Sequence, residues 1–222
     1  MLINQRFKRP YAIIFAIVAW FALLLQLQVT INTSLGKGLT LWTAIARYFS
    51  YFTIENNILV ALVFTAVALR SSSTAAKFFT KPRVQTAIAA YITIVGLVYH
   101  LLLRNIWNPQ GWQLLADNVL HYVTPLFYIL FWLAFVQKST IHWKSLPSWL
   151  IYPVIYSVFT LVRGAITGWY PYPFINAAEL GYARVLINTL FVFLGFAIIS
   201  SIFMAIARFL SRRLQSQRRF AD

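Results

Sequence analysis

Two short polar segments interrupt the long apolar runs of this chain, and they hold the side chains best suited to chemistry. The first places Thr53 before Asn56 and Asn57, and the second places Asp117 four residues before His121. At about 100° per residue, the members of each segment lie on one helix face. An unpaired polar group in hydrocarbon costs several kcal/mol, so both faces are expected to turn toward a bundle interior or a wet cavity.

A threonine hydroxyl beside an imidazole is a nucleophile–base pair. The hydroxyl attacks an acyl carbon only when a base takes its proton, and a neutral imidazole is the usual base. Thr53 and His121 are therefore the candidate pair. Asp117 either orients the imidazole, as the acid of a triad does, or caps a helix N-terminus. Asn56 and Asn57 are candidate donors to an oxyanion, or packing contacts.

Three further polar residues stand near the ends of apolar segments. His100 precedes Arg104 by four residues, and Arg163 ends a later segment. Long basic side chains at such places often only reach the interface. If they point inward, they are expected to hold a carboxylate or a lipid head group. Arg163 is also a candidate oxyanion donor.

The elements that must position these residues are membrane-spanning helices. The chain has 222 residues, of which 60% are hydrophobic and 10% charged. A helix needs about 20 apolar residues to cross a bilayer. The sequence predicts an all-α integral membrane fold, a single six-transmembrane-helix domain over 1–222 with a basic tail at 210–222. The predicted spans are about 11–29, 41–69, 84–103, 119–136, 149–167 and 182–209.

The second predicted span is longer than a bilayer requires, which predicts tilt or an extension outside the membrane. Read as one helix from residue 41, it places Thr53 about two to three turns below its outer end.

The distribution of basic residues predicts the orientation. Of the 19 Lys and Arg, fourteen fall on the side of the two termini and five on the other. By the positive-inside rule both termini are cytoplasmic, in a multi-pass protein of the cell (inner or plasma) membrane.

Composition also bears on cofactors and partners. The net charge is +15, but the basic residues lie between apolar runs instead of forming a basic stripe, so no nucleic-acid partner is expected. The chain has no cysteine and no His-x-x-x-His spacing, so neither a metal nor a cofactor is predicted. The expected partners are the bilayer and a lipid substrate, and the sequence leaves the oligomeric state open.

Three motifs in order suggest a family. They are Phe49-Ser-Tyr-Phe-Thr-Ile-Glu-Asn-Asn57, Asp117-Asn-Val-Leu-His-Tyr-Val-Thr-Pro125 and Trp169-Tyr-Pro-Tyr-Pro-Phe174. Together they resemble the bacterial six-helix "Pr-six-Pr" membrane proteins, which are similar to the eukaryotic androgen-induced and androgen-dependent transmembrane threonine hydrolases. The resemblance covers nearly the whole chain.

The resemblance implies a hydrolase of esters between fatty acids and hydroxy fatty acids, with Thr53 and His121 in the catalytic positions. The chain departs from the animal members at Asp117-Asn118, where they carry a second histidine. Three functions remain open: a membrane-embedded lipid-ester hydrolase that forms an acyl-threonine, a non-catalytic carrier of a lipid or small molecule, and a structural or assembly partner in the membrane.

Overall fold

A computed structural model describes the backbone of residues 5–219 and the side chains up to residue 213. Within that range the chain is helical and contains no strand. It forms two compact units, one ending at Thr140 and the other beginning at Ile141. The last residues of the predicted basic tail, 220–222, lie outside the described range.

The prediction of six apolar helices is confirmed. Among the described residues, six helices are long and apolar enough to cross a membrane. They are Gln5–Gly36, Phe52–Leu69, Pro82–Leu103, Gly111–Phe135, Trp143–Thr167 and Ala177–Arg213.

The first unit holds seven α-helices. A 3₁₀ turn, Gln5–Phe7, precedes the first of them. Two of the helices continue into π-helical segments, Tyr99–Leu103 after α5 and Val119–Val123 after α6. The helices are α1 (Lys8–Gly36), α2 (Leu41–Tyr48), α3 (Phe52–Leu69), α4 (Thr74–Phe79), α5 (Pro82–Val98), α6 (Gly111–Asn118) and α7 (Thr124–Phe135).

The predicted single span over 41–69 is wrong, because the chain turns between α2 and α3. The Ser50 hydroxyl donates to the carbonyl of Ala46, which competes with the helical ladder. Tyr51 then adopts an extended conformation, with ψ of 124°, and α3 begins at the next residue. Thr53 is therefore the second residue of a new helix instead of lying deep within a longer one.

Small residues bring α1 close to α3. Four buried alanines recur every three or four residues along α1, which is a helical stripe. Two of them, Ala19 and Ala22, share a buried cluster with Ile54 and Ala61 of α3. Short side chains let helix backbones approach closely in an apolar environment. This packing sets the position of the helix that carries Thr53.

Polar side chains join α5 to α7. The indole Nε1 of Trp132 donates to Oγ1 of Thr86 over 2.8 Å, and the hydroxyl of Tyr128 donates to the carbonyl of Gln85 over 3.2 Å. Both aromatic side chains are fully buried. Because a buried indole N–H needs an acceptor, the first contact fixes the register of the two helices.

We predict that Trp132→Phe lowers the free energy of unfolding by about 1 kcal/mol, the net value of one buried hydrogen bond. Unfolding of the purified protein in detergent micelles, followed by circular dichroism, measures the change. Trp42→Phe is the matched control, because Trp42 is 78% exposed. Equal shifts in the two variants would contradict a stabilising role for this contact.

The second unit contains two long helices and an aromatic connection. They are α8 (Leu146–Thr167) and α9 (Ala177–Arg219), and α9 is kinked at Gly181, whose φ is 72°. The connection packs onto α8: a Cβ added to Gly164 would fall 2.0 Å from the ring of Tyr170. Asn188 of α9 donates to the carbonyl of Phe174 over 2.8 Å, which ties the connection to the second helix as well.

Candidate active site

The structure brings the predicted nucleophile and base together. Oγ1 of Thr53 lies 3.3 Å from Nε2 of His121, although the two residues are 68 positions apart. Thr53 is buried in the first turn of α3, and the imidazole, 12% exposed, belongs to the second π segment. The distance allows a direct transfer of the hydroxyl proton to the ring.

The other ring nitrogen defines the tautomer of His121. Nδ1 lies 2.9 Å from the backbone carbonyl oxygen of Asp117 and 3.3 Å from its carboxylate Oδ1. A carbonyl oxygen only accepts, so the imidazole proton resides on Nδ1. The lone pair of Nε2 consequently faces the Thr53 hydroxyl. A general base requires this tautomer.

Asp117 supplies a buried carboxylate beside the imidazole. Helix α6 begins at Gly111, so Asp117 lies in its last turn, and the alternative of a helix N-cap is excluded. The side chain is 3% exposed. A desolvated negative charge at this place stabilises the imidazolium that forms when the base takes a proton.

Tyr99 holds the plane of the imidazole. Its ring stacks on that of His121, with centroids 4.0 Å apart and an interplanar angle of 16°. Tyr99 is the first residue of the first π segment, and its carbonyl accepts from the amide of Arg104, five residues on, over 2.9 Å. Tyr99 is not among the site residues predicted from the sequence. The residue lies next to His100, but it falls outside the face expected for a regular α-helix.

The π segment around His121 has a cause in the sequence. In an α-helix the carbonyl of His121 would accept from the amide of residue 125, but Pro125 has no N–H. The chain instead closes an i→i+5 bond, from the amide of Thr124 to the carbonyl of Val119. The wider turn contains His121. Turns of this kind recur at functional sites.

Gly96 lets α5 approach this released carbonyl. A Cβ at position 96 would lie 3.1 Å from the His121 carbonyl oxygen and 3.5 Å from Cβ of Pro125. Both neighbours belong to the backbone or to a rigid ring, so neither moves aside easily. A side chain at this position would push directly on the segment that carries the base.

We predict that Gly96→Ala destabilises the protein by roughly 1 kcal/mol. Overpacking costs about 1–3 kcal/mol, whereas replacing a helical glycine by alanine stabilises by only about 0.5–1 kcal/mol. Thermal unfolding in detergent micelles tests this. Gly36→Ala is the control, because no atom lies within 4 Å of its added Cβ. A Gly96→Ala protein as stable as the control variant would refute the close approach.

Asn57 connects the two segments that carry the pair. Its Nδ2 donates to the carbonyl of Thr53 over 2.8 Å and to the carbonyl of Leu120 over 3.2 Å. Asn56 donates from Nδ2 to the carbonyl of Phe52 over 2.7 Å. Both N–H groups of Asn57 are thus engaged by backbone carbonyls. In this arrangement Asn57 is a positioning residue and not the oxyanion donor that its face suggested.

Groups near the start of α3 affect its electrostatics. Burial raises the pKa of Tyr51, and the positive charge of Arg47 offsets part of the rise. The phenol is therefore neutral near pH 7. Glu55 lies in the first turn of α3, where a negative charge interacts favourably with the helix dipole.

The remaining predicted residues form other contacts. His100 and Arg104 are exposed and contact each other, with Arg104 Nη1 3.1 Å from His100 Nε2. Arg163 belongs to the second unit, where its guanidinium lies 5.1 Å from the ring centroid of Trp169. Over the described residues, no group of three or more His, Cys, Asp or Glu side chains is arranged to hold a metal ion.

Comparison of the chain with protein-family models, with curated proteins and with solved structures finds no match. The family resemblance of the three motifs stays a prediction. The functional argument therefore rests on the geometry around Thr53 and His121.

Proposed function

We propose that the protein is a membrane-embedded hydrolase of lipid esters, with Thr53 as nucleophile and His121 as general base. The observation that carries the proposal is the 3.3 Å contact between Thr53 Oγ1 and His121 Nε2. The other ring nitrogen, Nδ1, is hydrogen-bonded to the backbone carbonyl of Asp117. A nucleophile, a base and a group that orients the base are the parts of a covalent acyl-transfer site.

The chemistry follows from these roles. Thr53 Oγ1 attacks the ester carbonyl carbon while its proton moves to His121 Nε2. The tetrahedral intermediate then breaks its bond to the alcohol oxygen, which leaves with the proton from Nε2. A water molecule gives a proton to Nε2 and attacks the acyl-threonine. The second intermediate collapses to release the carboxylic acid, and Thr53 recovers its proton.

The place of Thr53 in α3 favours this reaction. It is the second residue of an 18-residue helix, so the positive end of the helix dipole lies beside the reacting oxygen. Negative charge that develops on the former carbonyl oxygen is stabilised there. Since Asn57 is committed to two backbone carbonyls, the helix end is the better source of this stabilisation.

The proposed substrate class rests on the location of the site among apolar helices and on the family resemblance. A site among helices apolar enough to cross a membrane suits a hydrophobic ester. The resembled family implies esters of fatty acids with hydroxy fatty acids, and we propose acyl esters of this kind. The distribution of basic residues supports cytoplasmic termini and a place in the cell membrane.

We predict that Thr53→Ala abolishes labelling of the purified protein by a fluorophosphonate probe, which reacts with activated hydroxyl groups. Thr65→Ala is the matched control, because Thr65 lies in the same helix, 12 residues or about 18 Å further along. Equal labelling of the Thr53→Ala variant and the wild type would exclude Thr53 as nucleophile. The pair would then be a packing or ligand contact, as the carrier function requires.

We predict that His121→Ala lowers ester turnover by about 10²–10⁴-fold, the usual contribution of a general base. The protein is expected to remain folded, which circular dichroism in micelles checks. His142→Ala serves as control, because His142 is exposed and precedes a separate 3₁₀ turn. Turnover retained in the His121→Ala variant would remove the histidine from the chemistry.

We predict that Asp117→Asn lowers kcat by roughly ten- to a hundredfold. When a carboxylate alone sets the histidine tautomer, its loss costs about 10⁴-fold. Here the backbone carbonyl of Asp117 also holds Nδ1, so only the charge is removed. Steady-state turnover of an ester in micelles measures the effect, and the exposed Asn118→Ala is the control. A loss as large as that of His121→Ala would contradict the assigned tautomer.

A further inference from the structure

A second polar group lies on the exposed side of the two π segments. Arg104 Nη1 is 3.3 Å from Nδ1 and 3.1 Å from Nε2 of His100, and His100 Nδ1 is 3.4 Å from the hydroxyl of Tyr122. All three side chains are exposed. We refer to Arg104, His100 and Tyr122 as the Arg104 cluster. None of its members is used in the reaction described above.

The Arg104 cluster adjoins the reacting pair. Tyr122 follows His121 in the chain, and its ring meets that of Tyr99 edge-on, with centroids 5.4 Å apart. Tyr99 in turn stacks on the imidazole of His121 at 4.0 Å. Side chains in contact therefore lead without a break from the guanidinium of Arg104 to the base. A single extended molecule can contact both ends of this row.

The positive charge of Arg104 has no carboxylate partner in the described part of the chain. Its hydrogen bonds there go to the side-chain oxygen of Asn105, over 3.3 Å, and to the ring of His100. The carboxylate near the reacting pair, Asp117, lies beside the imidazole of His121 instead, with Oδ1 3.3 Å from Nδ1. A guanidinium carries five N–H donors, so several of those of Arg104 stay available.

We infer that the Arg104 cluster binds an anionic oxygen group, a carboxylate or a phosphate, on the lipid whose ester Thr53 attacks. A guanidinium binds either group through two parallel hydrogen bonds, and the Tyr122 hydroxyl adds a donor. The substrate is thus an acidic lipid ester, held by its anion at the cluster and by its carbonyl at Thr53. This inference rests on the proposed hydrolase function.

Kinetics with paired substrates test the inference. The probes are an acyl ester of a hydroxy fatty acid, the same compound with its carboxylate methylated, and oleoyl lysophosphatidate. The wild type is expected to prefer at least one acidic substrate over the methylated ester. In Arg104→Gln this preference should fall by roughly ten- to a hundredfold, as for the loss of a charged hydrogen bond. The acidic substrate whose preference falls identifies the anion as carboxylate or phosphate.

Matched variants sharpen this test. Lys37→Gln removes an exposed positive charge from the same unit, outside the cluster, and should keep the wild-type preference. Arg104→Lys keeps the charge but loses the two-bond geometry, so an intermediate preference is expected. A preference for acidic substrates that is unchanged in Arg104→Gln, or equally reduced in Lys37→Gln, would overturn the inference.

Binding without turnover separates the inference from the proposed function. In the Thr53→Ala background, oleate or oleoyl lysophosphatidate should displace a fluorescent fatty acid more strongly than methyl oleate does, and adding Arg104→Gln should remove the difference. If the wild type hydrolyses no ester but this difference is present, the hydrolase proposal fails and the anion site stands. If esters are hydrolysed but displacement does not depend on Arg104, the anion site is overturned and the hydrolase stands.

Discussion

The carboxamide of Asn57 is the contact on which the site depends. It donates to the carbonyl of Thr53 in α3 and to the carbonyl of Leu120, the residue before His121. A fully buried amide has no water to replace a lost partner, so breaking either bond would leave one of its N–H groups unpaired in an apolar interior. The amide thus joins the backbones of the two segments that carry the hydroxyl and the imidazole.

The irregular backbone around His121 serves the same end. Pro125 removes the donor that would have completed an α-helical turn, and Gly96 removes the side chain that would have kept α5 away. The ring of Tyr99 lies flat on the imidazole. Each irregularity weakens a helix locally, and the stacked rings and the bonds from Asp117 and Asn57 offset the loss.

Much of this could be predicted from the sequence, and the limits have physical reasons. The length of an apolar run determines whether it is able to span a membrane, so the six helices could be predicted. The cost of burying polar groups pointed to the two helix faces that hold Thr53 and His121. The break at Tyr51 could not be predicted, because the run around it is apolar and contains no proline or glycine, and the Ser50 bond to Ala46 is seen only in the structure. Tyr99 was missed because a 3.6-residue period does not describe a π turn. The positioning role of Asn57 was not predicted, because it depends on a hydrogen bond to Leu120, 63 positions away.

The scarcity of acidic residues shapes the charge around the site. The chain has four Asp and Glu against 19 Lys and Arg, so its carboxylates are too few to pair with most of its basic side chains. The carboxylate that reaches the reacting pair, Asp117, is buried beside His121. A proton moving onto the imidazole therefore meets a fixed negative charge. In the part of the chain that the structure describes, the exposed Arg104 hydrogen-bonds to Asn105 and His100 and has no carboxylate beside it. The scarcity of carboxylates thus leaves Arg104 open to the anionic ligand that we propose.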